Sequence, residues 1–385
     1  NINSGYILSL SLCLDSIEVL VYAVDNKDVQ KAVKCAVEMK IDIVPRSGGH
    51  SYENYGLGGR NNTIGFGYYS RKYGLACDNI ISMEMVDANG NLLQVDSTLN
   101  SDLFFALRGA GGGSYGIVTY FVFRIYRTPP QVTSIKLEYN SANITNMNQI
   151  YRLFHAFNKV GPSLDDGIAL KMKLDKGSSS ITGLYLGPPT EALNAMNKFL
   201  SEAPDPSLLE FVPQTFFEAV ETLSKSPNKY EVVNPVHHPN FFKAKSFIVN
   251  MGKGLTKPAI DSLVFFLNNA TCETFASFDL YGGAVNNYDG SSSFIHRDVL
   301  YCIQMESDWI DNEQTTGCVD EINNFGKSFQ RNFTSYESYQ DFIDRGLDDW
   351  QIRYYGGIFR RLVRIKSRYD PKNLFNFPQS IPVQL

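Results

Sequence analysis

The stretch Arg46-Ser47-Gly48-Gly49-His50-Ser51 follows directly on the short apolar run Ile41–Val44. It gathers a guanidinium, two hydroxyls, an imidazole and several backbone N–H groups unobstructed by side chains, which is equipment for holding a diphosphate. His50 would then lie beside a bound cofactor; taken alone, the same residues also suit a tight turn. A second glycine-rich stretch, GAGGGSYG from Gly109 to Gly116, contains a literal G-x-G-x-x-G at Gly111, Gly113 and Gly116. A dinucleotide fingerprint of that form needs a strand before it and a helix after it. Here a helical pattern precedes and a strand pattern follows, so that reading is excluded, and no Gly-Lys-Ser/Thr follows to make a phosphate loop of the Walker type. What remains is a backbone open to close approach by an anionic or planar ligand, or a flexible turn. His237 and His238, just before Pro239, read as a solvated loop and His155 as a helix-surface or core residue. No spacing resembles a metal site, and no Ser-His-Asp arrangement follows from five histidines so placed.

The elements that must position these loops are visible as hydrophobic periodicity. Val29, Ala32, Val33, Ala36 and Val37 predict a helix over Asp28–Lys40, and Ile41–Val44 a short strand leading into the His50 loop. Residues 79–96 predict two strands around Asn89-Gly90. A helix over Ser101–Leu107 leads into the second glycine loop, and IVTYFVFRIY alternates as a half-buried strand up to Thr128-Pro129-Pro130, the best domain boundary. Beyond it, strands are predicted at Ser134–Tyr139, Ile168–Leu174 and Ser180–Leu186, with helices near Asn148–Val160 and Thr190–Ser201. This is the pattern of an α+β module with an antiparallel sheet. Helices over Cys318–Asn332 and from about Gly357 to Tyr369 complete the chain.

Composition narrows the classes of function. The chain has 385 residues, 43% hydrophobic and 19% charged, with 26 Phe and 22 Tyr, so it is globular and long enough for two domains. A formal net charge of −5, without basic runs, argues against nucleic acid as a partner. The most apolar stretch, Tyr6–Val24, is interrupted by Asp15 and Glu18, which argues against a membrane span. The chain begins at Asn1, as a processed form or a fragment would. Six cysteines without a C-x-x-C indicate neither a zinc ribbon nor a redox motif; Cys35 and Cys77 are candidates to meet in space. Sequons begin at Asn61, Asn143, Asn269 and Asn332, a number that chance alone would supply.

Six segments occur in one order: VPRSGGHSY, YSRKYGLACDNI, LFFALRGAGGGSYGIVT, DLYGGAVN, FIHRD with IQMESDW, and YYGGIFRRLVRIKSRYDPKNLFNFPQSIP. Together they resemble the berberine bridge enzyme-like flavin oxidases, of the wider group of FAD-linked oxidases that includes vanillyl-alcohol oxidase. The look is closer to carbohydrate oxidases of fungi and bacteria than to plant alkaloid enzymes. The resemblance implies an α+β fold: a PCMH-type FAD-binding domain in two subdomains, made of residues 1–130 with a returning C-terminal segment 311–385, and a substrate domain 131–310 with an antiparallel sheet and helices. It implies FAD bonded through His50, with Arg46, Ser47, Gly48, Gly49 and Ser51 around the diphosphate and Gly74, Leu75, Gly116, Ile117 and Val118 lining the flavin. Tyr354 or Tyr355 matches the family's catalytic tyrosine, Asp279 the carboxylate beside it, and Gln304 and Asp308 substrate-binding positions on a strand.

The implied reaction removes a hydride from an alcohol carbon, most simply the anomeric carbon of a mono- or oligosaccharide, and passes electrons to O2 to give H2O2. Oxidation of an alkaloid or aromatic alcohol, or a truncated non-catalytic variant, are the alternatives. The family's habits further imply a secreted, glycosylated monomer acting on a small molecule. Two departures stand out. Family members carry a longer stretch between the equivalents of Ile64 and Gly65, including strands under the flavin and, in bicovalent members, a cysteine forming a second flavin bond. In this chain NNTI joins directly to GFGYYS. Ile358 replaces the family's Asn after the Tyr-Tyr-Gly motif, removing one polar contact.

Overall fold

The Asn-Gly pair does what its chemistry prescribes. Gly90 adopts φ +74°, and the Asp87 carboxylate collects the N–H groups of Asn89 and Asn91 at 2.9 and 2.8 Å, closing the turn between β1 (Ile80–Val86) and β2 (Leu92–Asp96). β3 (Ile117–Phe123) pairs with the other edge of β1, giving an antiparallel sheet of order β2-β1-β3. The computed structural model describes residues 21–41, 43–45, 52–53, 65–139, 146–224, 241–332 and 335–385. Helix α1 (Asn26–Met39) is capped by the Asp25 carboxylate, which accepts from the Asp28 N–H at 3.0 Å. At its far end Lys40 turns left-handed (φ 55°) and the N–H groups of Lys40 and Ile41 return to Val37 and Ala36. Ile41 is thereby part of a helix cap and does not begin the expected strand, and Ile43 packs against the buried Val33 and Val86. Helix α2 (Ser101–Leu107) is buried from Leu103 through Leu107 and sits between β1 and the chain's closing helix.

After Pro129-Pro130 the chain enters a second sheet of seven antiparallel strands, in the order β7-β4-β6-β5-β9-β10-β8. They are β4 (Val132–Tyr139), β5 (Ile168–Asp175), β6 (Ser178–Tyr185), β7 (Leu208–Gln214), β8 (Phe241–Asn250), β9 (Glu273–Leu280) and β10 (Val299–Trp309). Side chains alternate between faces. Leu170, Met172, Phe278, Ile303 and Met305 face one way, into a core closed by α3 (Met147–Lys159), α4 (Pro189–Glu202), α5 (Lys257–Asn269) and α6 (Thr315–Gln330). The opposite face carries charge and amide.

The C-terminal segment ties the two sheets together. Residues 337–339 run beside the edge strand β8, where Ile248 donates to the Glu337 carbonyl (3.1 Å) and Tyr339 to the Ser246 hydroxyl (2.8 Å). The chain then returns through α7 (Trp350–Tyr355) and α8 (Phe359–Tyr369) to the three-stranded sheet. Lys366, fully buried, donates to Asp370 (2.6 Å) and to the carbonyls of Ser114 (2.6 Å) and Phe375 (2.8 Å). The architecture is α+β, as the motif order implies. Cys35 and Cys77 do not meet: Cys35 is exposed on α1 and Cys77 is buried, both free, whereas Cys272 is bonded to Cys318, fastening the start of β9 to α6.

Candidate functional site

Register builds the polar face. Lys171 on β5 lies opposite Asp279 on β9, and Asp279 lies opposite Cys302 on β10. Gln304, Glu306 and Asp308 follow Cys302 at two-residue steps and share its face. Lys171 Nζ is 3.7 Å from Asp279 Oδ1. Burial pushes the Asp279 carboxyl up, and Lys171 pulls it back. Glu306 is pushed up to about 7, by burial first and by the Asp308 charge second.

Tyr52 lies against this face. The Gln304 amide nitrogen donates both to the Tyr52 hydroxyl (3.0 Å) and to Glu306 Oε2 (2.8 Å). The Tyr52 ring meets Phe242 and Phe342 edge-on, each with centroids 5.3 Å apart. Its phenol is raised by burial and by the neighbouring carboxylates, so it is a hydroxyl at neutral pH. The next residue takes the opposite side of the edge strand. Phe242 and Lys243 point to opposite faces of β8, and Glu53 pairs with Lys243 and with Arg345, whose Nε and backbone N–H reach it at 2.6 and 3.0 Å. Asp344 completes this buried cluster by pairing with Lys243 and Lys245, both at 2.7 Å. Two lysines hold its carboxyl below the usual range against the upward pull of burial.

Of the residues singled out in the sequence, Asp279, Gln304 and Asp308 come together on one face. Tyr354 and Tyr355 do not join them by a hydrogen bond. The Tyr354 hydroxyl accepts the Asp344 N–H at 3.0 Å, and the Tyr355 hydroxyl donates to the Ala110 carbonyl at 2.9 Å. Burial raises both phenols. Gly74 and Leu75 have their amides committed, to the Ser70 carbonyl and to the Asp78 carboxylate, and the Leu75 side chain is buried with Tyr281 and Cys302. Ile117 and Val118 pair with Val86 and Met85 in the β1/β3 ladder, and Gly116 immediately precedes that strand. Arg46, Ser47, Gly48, Gly49, His50 and Ser51 lie outside the described residues, as do His237 and His238. Reading the sequence for motifs missed Tyr52, Glu306 and Lys171. Two signals could have found them: Tyr52 closes the VPRSGGHSY segment, and Glu306 lies midway between Gln304 and Asp308 in a period-two strand.

The second glycine loop resolves into two uses. A Cβ on Gly116 would sit 2.6 Å from the Val86 carbonyl oxygen, and one on Gly109 would run into the Phe294 backbone, so these two glycines serve packing. Gly111 and Gly113 instead adopt φ +78° and +84°, where a Cβ would be strained and would come within 3.3 Å of the Gln340 amide and of the Phe377 ring, side chains and not backbone. Among the described residues no hydrogen bond uses the amides of Gly111, Gly112 or Gly113. A run of unclaimed N–H groups on backbone without side chains fits an anionic or planar group, and so fits the FAD implied by the motif order.

Comparison with known proteins supports that fit. The family profile described as "Berberine and berberine like" matches residues 338–382. The FAD-linked oxidoreductase YvdP of Bacillus subtilis is 28% identical, across 85% of this chain and 71% of that protein. Berberine bridge enzyme-like 24 of Arabidopsis thaliana is also 28% identical, across 85% of this chain and 65% of the relative, so the chain spans about two thirds of the length of such relatives. The solved structure of Physcomitrella patens BBE-like 1 superposes with a TM-score of 0.85 at 30% identity, over 94% of this chain and 91% of that one. The chain therefore belongs to the berberine bridge enzyme-like family of FAD-linked oxidoreductases and has that family's PCMH-type α+β fold.

Proposed function

We propose that this protein oxidises an alcohol carbon, the anomeric carbon of a mono- or oligosaccharide, using FAD bonded to His50 and O2 as electron acceptor. The observation that carries the reading is the convergence of Lys171, Asp279, Gln304, Glu306 and Asp308 from three adjacent strands, with Tyr52 laid across them. A face so rich in hydrogen-bonding groups, walled by the aromatic rings of Tyr52, Phe242 and Phe342, suits a hydroxyl-rich ligand better than an apolar one. Bound FAD supplies the hydride acceptor and the route of electrons to O2, giving H2O2.

The chain's own residues hold and orient the alcohol. Arg46, Ser47, Gly48, Gly49, Ser51 and the amides of Gly111–Gly113 would hold the cofactor, and Gly74, Leu75, Gly116, Ile117 and Val118 would lie near its ring. Because the Tyr52 oxygen accepts from Gln304, its own hydrogen is available to a ligand oxygen. Asp279, kept beside Lys171, accepts the proton of the substrate hydroxyl, and Tyr354 or Tyr355 would serve as base only if deprotonated on ligand binding, against the upward pull of burial on both phenols. In this reading residues 1–130 and 311–385 form the cofactor domain and 131–310 the substrate domain, and the protein acts as a secreted, glycosylated monomer.

Acid-denatured protein tests the covalent bond: yellow, flavin-absorbing material should stay with the polypeptide and be released in His50→Ala. A colourless pellet from folded protein would overturn it. Peroxide release across sugars and aromatic alcohols then assigns the substrate class. Asp279→Asn should lower kcat/KM about 10²- to 10⁴-fold, and Tyr354→Phe against Tyr355→Phe separates the two tyrosines.

A further inference from the structure

Gln304 offers one amide nitrogen to two acceptors, and its orientation decides what Tyr52 can do. With N–H groups directed at Tyr52 and Glu306, the Tyr52 oxygen is an acceptor and its hydrogen is directed away from Gln304. The reversed amide would place the Gln304 oxygen 2.8 Å from a Glu306 oxygen, which is repulsive while Glu306 is a carboxylate. We propose that Glu306 is a positioning residue that acts through Gln304: as a carboxylate it fixes the amide so that Tyr52 donates to the ligand, and once protonated it permits the reversed amide, in which Tyr52 donates to Gln304 and can only accept from the ligand. This inference rests on the proposed function in placing the ligand at Tyr52, but the amide orientation itself does not.

The surroundings put the change of state in the working range of pH. On its own strand Glu306 has Asp308 two residues on, and across β9 and β5 it has Asp279, Lys171 and Lys173. The β9 residue directly opposite is Phe275, whose ring carries Lys173 at 4.5 Å, and the β8 residue opposite is Ala244. Lys171 is drawn to Asp279 and Lys173 to Asp175 (3.2 Å), so both lysines that face Glu306 also serve other carboxylates. Burial and Asp308 raise Glu306 to about 7. The carboxylate, and with it the donating Tyr52, is therefore the form above pH 7, and it is lost as pH falls through that value.

Two measurements test the inference. In protein labelled with 15N-glutamine, the side-chain amide resonance missing from Gln304→Asn identifies Gln304. It should titrate with a midpoint near 7 in the parent and stop doing so in Glu306→Gln, whose amide oxygen accepts from Gln304 at every pH. A Gln304 resonance that does not move between pH 5.5 and 8.5, or that moves equally in Glu306→Gln, overturns the proposal whatever the substrate is. With cellobiose and benzyl alcohol as probes, neither of which titrates in this range, KM should rise about tenfold from pH 8 to pH 5.5, the worth of one hydrogen bond, with kcat changing less. Glu306→Gln should abolish that rise and Glu306→Leu should leave KM high throughout. A merely structural role would shift melting temperature in both variants and leave the KM profile intact. If neither probe binds at any pH while the amide titrates as expected, the proposed function fails and the positioning role stands.

Discussion

Tyr52 is the side chain on which the site turns, because one bond from Gln304 ties it to the polar face of the seven-stranded sheet. Tyr52→Phe removes that acceptor and leaves a buried amide N–H with Glu306 alone. We expect kcat/KM to drop about tenfold with no loss of bound flavin, measured by peroxide release and absorbance. The neighbouring segment contains two carboxyls whose linkage to folding has opposite sign. Asp341, beside the Tyr339 hydroxyl (3.0 Å), is raised by burial to about 7. Its charged form is disfavoured in the native state, so stability is lost as pH rises from the unfolded value near 4 through 7. Asp341→Asn should raise the melting temperature at pH 8 and leave it unchanged at pH 4. Glu337 is lowered to about 2, chiefly by His296 against the upward pull of burial. Its contribution is complete above the unfolded value near 4.5 and disappears as pH falls towards 2, so Glu337→Gln should lower the melting temperature at pH 7 and not at pH 2.

At the scale of elements, local pattern and long-range contact divide the work. The hairpin at Asn89-Gly90 and the helix over Ser101–Leu107 were legible in the sequence, since each depends on periodicity or on a turn residue within a few positions, whereas Gln304 and Asp308 came only from the family resemblance. What could not be read is set by distant partners. Tyr355 bonds a carbonyl 245 residues away, and Glu53 is held by Arg345 across 292 positions; no local pattern encodes either. Likewise the spacing of the cysteines did not reveal that Cys272 takes Cys318, because the pairing follows from the turn before β9 meeting α6, where Thr271 donates to the Glu321 carboxylate. That bond closes a loop of 46 residues. Cys272→Ser with Cys318→Ser should cost about 4 kcal/mol in denaturant unfolding by the chain-entropy account. The glycines of the second loop are equally divided. Gly109→Ala meets the Phe294 backbone and should destabilise by about 1–3 kcal/mol, whereas Gly111→Ala, strained by its φ of +78° but meeting only the Gln340 side chain, should lower the melting temperature less than Gly109→Ala and weaken flavin retention.

For the molecule as a whole, the C-terminal segment is the closure. It lies along β8, supplies Asp344 and Arg345 to the cluster around Glu53, and sends Lys366 into the Ser114 carbonyl of the second glycine loop. Lys366 and Asp370 are both fully buried, and removing one partner leaves the other charge stranded. Lys366→Met should therefore destabilise by about 3–5 kcal/mol, visible as a lowered unfolding midpoint with loss of flavin at the same denaturant concentration. The same placement sets a timetable for the living chain. Ser114 waits for Lys366, 252 residues later, and at a synthesis rate of about 5–20 residues per second that wait is on the order of ten to fifty seconds. Throughout it the glycine loop and the buried helix before it can pack against β1 and, later, against Ser293 and Phe294, but they lack the cation that locks them, so the cofactor loop takes its final form only as the last residues are made.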